Sequence, residues 1–358
     1  MRHYEEGIYN HKMVVLARES RGISQKELCE MSGLSQGKLS KIENGLVTVT
    51  NEDAEKLSGS LNYPLTFFSR NERIYGVGLS EYFHRKRQSV TQKTLNKIYA
   101  KLEIRRMEIV TLLKAIDLGD VTIPIIDPDD YDNDIEKITQ IVRAAWQMPK
   151  GPVDNVVDVI EEAGAIIVPF DFEQANVDGI SVWHSGMPPL IFVNFDRPMD
   201  RIRFTLSHEL GHLVLHRNPP SDGNDIEEQA DRFASEFLMP AQDISSSLNN
   251  LSIQKLASLK PYWKTSMGSI LKKASDLGKI TERQSRYFWM QMNKLGYRTV
   301  EPPELCPPKE KPFLLDEIIK LHQNELNYSV KDMSTAMDLN PIEFQSLYMK
   351  NFGHLRLL

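Results

Sequence analysis

The sequence predicts a mainly α-helical chain with a small α+β part, and three observations lead to this prediction. Apolar residues at helical spacing, separated by cap and stop signals, fill residues 12–70. Three short apolar runs lie between residues 166 and 194, directly before two further helical segments. The pattern is helical again beyond residue 250, and no repeat period is visible.

The composition places the chain among ordinary globular proteins. Its 358 residues predict two or three domains, and a hydrophobic fraction of 41% excludes a disordered or coiled-coil chain. It has neither an apolar run of about 18 residues nor the pattern of a signal peptide, so we expect no membrane association. Two cysteines, Cys29 and Cys306, are too few for a disulfide framework. These features predict a cytoplasmic protein.

Charge is distributed unevenly along the chain. Residues 1–110 carry 18 Lys and Arg against 13 Asp and Glu, whereas the remainder carries 25 against 36. A basic stretch, His84-Arg85-Lys86-Arg87, contributes to this excess. The basic first third could therefore bind along the phosphate backbone of a nucleic acid, which would repel the acidic remainder of the chain. Such a charge asymmetry also arises by chance.

The first helices have clear boundaries in the sequence. Ser24 and Glu27 form the pattern of a capping box, and Gly33 ends the helix that follows. Ser35 is placed to cap a third helix, which Asn44-Gly45 terminates. A fourth helix is predicted over residues 50–61, and a long amphipathic helix over about 91–116.

The central part of the chain alternates strands with helices. Strands are predicted at 166–170, 179–183 and 190–194, and helices near 198–217 and 225–238. A turn-rich segment beginning at Ile123 marks a boundary. We therefore predict four regions, at residues 8–70, 71–122, 123–245 and 246–358, of which the second is a basic segment with a linker helix and the last is helical.

The strongest chemical signal is the H-E-x-x-H pattern at residues 208–212. On a helix this spacing places His208 and His212 on one face, about 6 Å apart at Cβ, so both imidazoles can reach one metal ion. Glu209 lies beside the first histidine and can accept a proton from the water that the metal activates. The pentapeptide also occurs by chance, but apolar flanking residues and preceding strands favour a metal site.

A catalytic zinc ion requires a third protein ligand and an open position for water. The next helix offers Glu227 as that ligand, with Asp231 four residues later to accept the free N–H of a ligating histidine. Glu228 is the alternative ligand, since a slightly rotated helix presents it instead. A solvated acidic helix face would account for the same residues.

His216 is unsuited to bind the same ion. It lies eight residues after His208, about 12 Å along a helix. We predict instead that it is a cation at the helix C-terminus.

Two resemblances extend this interpretation. Residues 12–68, through Ile23-Ser-Gln-Lys-Glu-Leu and the segment 31–45, resemble the helix-turn-helix of the phage-repressor (Cro/C1, XRE) family. Residues from about 150 to 240, through Arg203-Phe-Thr-Leu-Ser-His-Glu-Leu-Gly-His and the segment 227–240, resemble the ImmA/IrrE metallopeptidases. Together they cover about two-thirds of the chain, and the last fifty residues match neither family, although residues 328–333 could begin another small helical unit.

The resemblances imply a fold and a function. They imply an N-terminal helix-turn-helix bundle joined to a zincin-like metallopeptidase domain with a short β-sheet. In such peptidases Zn²⁺ is bound by residues that correspond to His208, His212 and Glu227, and Glu209 is the catalytic base. Family members cleave partner repressors, so the expected protein substrate is a repressor or another regulatory protein.

Repressor-type domains place the third helix in the major groove of double-stranded DNA and bind an operator as dimers. By position, Gln36 and Lys38 could contact bases, whereas Gln25, Ser35 and Lys41 could contact phosphates. We accordingly expect a homodimer.

Two alternatives stay open from the sequence. Gly37 interrupts the recognition helix, so weak DNA binding, or protein recognition by this domain, competes with operator binding. The second alternative is a non-catalytic XRE-type transcription factor, toxin–antitoxin or phage-related, whose peptidase-like domain senses a signal or binds a partner. The intact motif residues favour a zinc metalloendopeptidase over this alternative.

Overall fold

The mainly α-helical fold class with a small sheet is confirmed by a computed structural model. The structure describes residues 9–75, 91–173, 177–217 and 226–349, so the basic stretch at 84–87 lies outside the described residues. The described helices, in chain order, are α1 (His11–Ser20), α2 (Gln25–Ser32), α3 (Gln36–Glu43), α4 (Asn51–Leu61), α5 (Gln92–Leu113), α6 (Ile135–Ala145), α7 (Val156–Glu162), α8 (Met199–Leu215), α9 (Ile226–Leu238), α10 (Ala241–Ile244), α11 (Ile253–Trp263), α12 (Met267–Asp276), α13 (Glu282–Lys294), α14 (Leu314–Asn324), α15 (Val330–Ala336) and α16 (Pro341–Tyr348). None of them is long and apolar enough to cross a membrane.

The chain divides into two compact units. The N-terminal unit comprises Met1–Leu118, Glu173–Asn176 and Leu315–Leu358, and the central unit comprises Gly119–Phe172 and Val177–Leu314. The last helices thus belong to the same unit as the first ones. The finer four-region division predicted from the sequence stays a prediction.

Local cap signals explain the short helices of the N-terminal unit. The Ser24 hydroxyl accepts a hydrogen bond from the Glu27 N–H, and the Glu27 carboxylate accepts one from the Ser24 N–H, which completes the predicted capping box. Gly33 adopts a left-handed conformation (φ 72°) that ends α2. Leu28, Leu39 and other apolar residues of α1–α4 are buried in one core.

Helices α15 and α16 share cap, turn and burial features with α2 and α3. Aligned with Ser24 and Glu27, Ser329 and Asp332 form a second capping box. Asp338 has φ 56° at the position of Gly33, and therefore makes the same left-handed turn. Buried apolar residues occupy the same register, namely Leu28 and Met333, Leu34 and Leu339, and Leu39 and Phe344. These shared features form an internal structural repeat that is not visible as a repeat period in the sequence.

Helices α15 and α16, the second motif, are held against the other helices of the N-terminal unit by polar contacts. The Arg21 guanidinium donates two hydrogen bonds, of 2.9 and 3.0 Å, to the carboxylate of Glu343 on α16. Arg70 donates to the Met337 carbonyl at 3.1 Å, and the Tyr348 hydroxyl donates to Glu108 at 2.6 Å. Helix α16, which is aligned with α3, therefore makes these side-chain contacts within its own unit.

The central unit contains the three predicted strands. They are β1 (Ile166–Pro169), β2 (Gly179–Val182) and β3 (Leu190–Val193), in the order β1-β3-β2. β1 runs parallel to β3, with Ile166 opposite Leu190, whereas β2 is antiparallel, with Gly179 opposite Val193. All four residues of β3 are buried, as its unbroken apolar run predicts.

Two glycines allow α8 to lie close to its neighbours. A Cβ atom at Gly179 on β2 would lie 2.5 Å from Thr205 Cγ2, so the edge strand could not approach α8 with a larger residue. A Cβ at Gly211 would lie 3.2 Å from Phe233 on α9. These contacts bring β2 and α9 to the face of α8 that carries the H-E-x-x-H residues.

Candidate metal centre and helix-turn-helix surface

The structure brings His208, His212 and Glu227 together. Helix α8 directs both Nε2 atoms to the same side, 3.0 Å apart. Helix α9 supplies Glu227, whose carboxylate oxygens lie 3.7 Å from His208 Nε2 and 3.5 Å from His212 Nε2. Glu228, the alternative ligand, is exposed to solvent. Among the described residues, His208, His212 and Glu227 are the group of His, Cys, Asp and Glu that could hold a metal ion.

The spacing of these atoms fits zinc. Ligand atoms about 2.0–2.1 Å from a tetrahedral Zn²⁺ lie about 3.3 Å from one another. The two Nε2 atoms lie 3.0 Å apart, and the nearest Glu227 oxygens, Oε1 for His212 and Oε2 for His208, lie 3.5 and 3.7 Å from them, close to that value. Two imidazole nitrogens and one carboxylate are also a donor set of catalytic zinc sites, in which a fourth position is left for water.

His208 is supported by a carboxylate on α9. Its Nδ1 lies 2.8 Å from Asp231 Oδ1, so Nε2 is the nitrogen that faces the site. Burial opposes the charged imidazolium, but the hydrogen bond to Asp231 and the nearby carboxylates outweigh burial and raise the pKa of His208. The predicted supporting residue, Asp231, therefore lies next to the first histidine.

His212 lies in a different environment. Burial lowers its pKa well below the usual value, and the neighbouring histidines lower it further, so the imidazole is held neutral as a metal ligand must be. Its Nδ1 lies 2.9 Å from Nδ1 of His216, which caps α8. Burial also lowers the pKa of His216, so the expectation of a helix-terminal cation was wrong.

Glu209 lies beside the two histidines, 5% exposed. Its Oε2 accepts a hydrogen bond of 2.7 Å from the hydroxyl of Ser181 on β2. That hydrogen bond restricts the orientation of the Glu209 carboxylate. Glu209 is thus placed to exchange a proton with a molecule bound at the site.

The helix-turn-helix surface contains the five residues predicted to contact DNA, in two groups. Ser35, Gln36 and Lys41 are exposed, and the Ser35 hydroxyl also caps α3 by accepting from the Lys38 N–H. The other two residues contact their own domain. Gln25 donates to Glu43 at 2.7 Å, and the Lys38 ammonium binds the buried carboxylate of Asp53 at 2.6 Å.

The bond between Lys38 and Asp53 has a structural cause. Asp53 is completely buried at the start of α4, where burial alone would raise its pKa. The bonds from Lys38 and Thr50 lower the pKa below its usual value and keep the group charged. A base contact by Lys38 would therefore compete with this ion pair.

Comparison with known proteins agrees with this geometry. Residues 16–68 match the family model of a helix-turn-helix domain, and residues 160–275 match that of the IrrE N-terminal-like domain. The chain joins these two domains. The IrrE-like domain is of metallopeptidase type and contains the three candidate ligands and Glu209, and the helix-turn-helix domain is of the XRE type found in DNA-binding regulators. No curated protein matches the chain.

Sequence reasoning missed two side chains of the IrrE-like domain that contact the site. Ser181 hydrogen bonds to Glu209, and Gln229 accepts a hydrogen bond from His216 Nε2 at 2.8 Å. Neither residue type signals metal chemistry. Only their position signals a role: Ser181 lies on the strand beside α8, and Gln229 lies two residues after Glu227.

Proposed function

We propose that the chain is a DNA-binding transcriptional regulator with a zinc-dependent endopeptidase domain that cleaves a partner repressor or another regulatory protein. One observation carries the catalytic part: His208 and His212 on α8 and Glu227 on α9 come together, and the buried carboxylate of Glu209 follows the first histidine on α8. The matches to an IrrE-like domain and a helix-turn-helix domain support the combination of activities.

In this proposal each residue of the centre has a defined task. His208, His212 and Glu227 would hold the zinc ion. When bound, the ion would polarise the scissile carbonyl and lower the pKa of a water molecule. Glu209 would accept the proton of that water and deliver it to the departing amine. Ser181 would keep the Glu209 carboxylate in position for both transfers.

The edge strand suggests how a protein substrate would bind. β2 is at the edge of the sheet and contacts α8 through Gly179. An extended peptide could pair with such an edge through backbone hydrogen bonds, which are independent of side-chain identity. Its scissile bond would then lie beside Glu209. This mode of binding fits a substrate segment that is unfolded or exposed as a loop.

The N-terminal unit would bring the peptidase to an operator. Helix α3 would enter the major groove, with Gln36 on a base edge and Ser35 and Lys41 on phosphates. Two copies of the chain would bind half-sites about 34–36 Å apart, since repressor-type domains of this kind bind as dimers.

The direct test is a cleavage assay with the full chain. The zinc-loaded protein is incubated with a library of unfolded peptides, and new N-termini are identified by mass spectrometry. We expect cleavage that a chelator abolishes and added zinc restores. Absence of cleavage by a chain that contains zinc and binds DNA would instead favour a regulator whose peptidase-like domain only binds a partner.

A further inference from the structure

A row of hydrogen bonds extends from His212 to the surface of the central unit. His212 Nδ1 lies 2.9 Å from His216 Nδ1, and His216 Nε2 lies 2.8 Å from Gln229 Oε1. Gln229 Nε2 lies 2.9 Å from Asn133 Oδ1, and Asn133 Nδ2 lies 3.1 Å from Asp129 Oδ1. The two histidines come from α8, Gln229 from α9, and the last two residues from the segment before α6.

The last member of this row determines the direction of every bond. The ionised carboxylate of Asp129 can only accept, so the Asn133 amide must donate to it and present its oxygen to Gln229. Gln229 must in turn donate to Asn133 and present its own oxygen to His216. Because that oxygen accepts, the hydrogen of neutral His216 is on Nε2, and its Nδ1 carries a lone pair.

The lone pair on His216 leaves one arrangement for His212. His212 Nδ1 must donate to His216, so the Nε2 atom of His212 carries the lone pair that faces His208 and Glu227. The opposite tautomer would place a hydrogen where a metal must bind. Gln229 is 7% exposed, so water competes little for its amide.

We propose that His216, Gln229, Asn133 and Asp129 form a relay that fixes the tautomer and ring orientation of His212 as a metal ligand. The two ligating histidines then differ in support, since Asp231 contacts His208 directly whereas the carboxylate of Asp129 acts on His212 through three intervening side chains. All four relay members are positioning residues. The proposal rests on the proposed function in taking zinc as the ion.

The first test reads the tautomers without metal. Long-range ¹H–¹⁵N spectra of the zinc-free full chain at pH 8 distinguish Nδ1–H from Nε2–H imidazoles. We expect His212 in the Nδ1–H form and His216 in the Nε2–H form. In Gln229→Leu, which fills similar space without an acceptor, both histidines should show mixed tautomers. An Nε2–H tautomer of His212 in the wild type would overturn the proposal.

The second test measures zinc affinity by competition with a chelator. Loss of such an outer hydrogen bond typically weakens metal binding about 10–100-fold, and we expect this loss for His216→Ala and Gln229→Leu. Gln229→Glu keeps an acceptor towards His216 but loses the donor to Asn133, and should weaken zinc binding less than Gln229→Leu does. Glu162→Gln, an exposed change on α7 in the same unit, is the control.

The outcomes separate this proposal from the proposed function. Wild-type zinc affinity in both His216→Ala and Gln229→Leu would overturn the relay while leaving a zinc site intact. Equal weakening by Gln229→Glu and Gln229→Leu would overturn it too, because packing rather than the acceptor would then matter. A wild-type chain that binds no zinc would contradict the proposed function, and the tautomers would still decide the relay.

Discussion

The candidate metal centre and helix α3 differ in how far their side chains are fixed before any partner binds. His208 and Glu209 are 9% and 5% exposed, and each is oriented by a hydrogen bond to a neighbouring element. Gln36 and Lys41 on α3 are exposed. The side chains of the candidate centre are oriented by contacts within the chain, whereas the exposed side chains of α3 would acquire their contacts from a bound partner. Substitutions should therefore abolish function at the first and reduce it in steps at the second.

The largest effect is expected for Glu209→Gln. The amide cannot accept the proton of water, so the cleavage rate should fall about 10²–10⁴-fold while zinc content and DNA affinity stay unchanged. Cleavage kinetics and metal analysis of the same sample measure both. Glu162→Gln serves as the exposed control. Cleavage by Glu209→Gln at the wild-type rate would refute its role as base.

The second-largest effect is expected on the pH dependence of the unfolding free energy, through the buried carboxylate of Glu161 in the central unit. Burial raises the pKa of Glu161 to about 7, although its carboxylate accepts bonds from the N–H groups of Phe313 and Leu314. Because the folded pKa lies above the usual value of 4.5, the stabilisation by the protonated form is complete below pH 4.5 and is lost as the pH rises through 7.

Glu161→Gln stays neutral and should remove this dependence. Between pH 4.5 and 8 the free energy of unfolding of the wild type should fall by about 3 kcal/mol relative to the variant. Urea unfolding at several pH values measures it. The adjacent exposed Glu162→Gln should follow the wild type. Parallel pH profiles of the wild type and Glu161→Gln would contradict the assignment.

A smaller effect is expected for a substitution on the exposed surface of α3. Gln36→Glu replaces an amide on α3 that can pair with adenine, and should weaken operator binding by about 1–3 kcal/mol. Gln345→Glu makes the same chemical change on α16, in the aligned second motif, and should leave DNA affinity unchanged. Fluorescence anisotropy at one salt concentration compares them. Equal loss in both variants would indicate that α16 also contacts DNA.

The smallest effect should come from the contact that holds the second motif. Glu343→Ala removes the partly exposed pair with Arg21, worth up to about 1 kcal/mol of unfolding free energy. The exposed Gln345→Ala on the same helix is the control, and thermal unfolding compares the two. A loss well above that of an exposed ion pair would mean that the second motif stabilises the N-terminal unit through this residue.

The residue pattern predicted much of this structure, because local signals specify local geometry. The capping box at Ser24 and the H-E-x-x-H spacing at His208 each act within one turn of a helix. The choice between Glu227 and Glu228 required the packing of α9 on α8, since adjacent helical residues point about 100° apart. The proposed zinc site and its third ligand stay predictions that experiment must decide.

Other features depend on contacts that the sequence does not signal. The internal repeat was missed because only three of its twenty aligned residues are identical, namely Ser24, Lys26 and Leu34 with their counterparts. Three buried positions and the left-handed turn coincide in the two aligned helix pairs, although most of the aligned residues differ. Lys38 was predicted to contact bases, but its ion pair with Asp53 depends on how α3 packs against α4.

The most direct test of the buried centre is the zinc content of the purified full chain, measured by mass spectrometry beside that of His208→Ala. We expect about one zinc ion per wild-type chain and loss of that ion in the variant. Absence of metal from the wild type after zinc is supplied, or equal zinc in both proteins, would contradict this expectation.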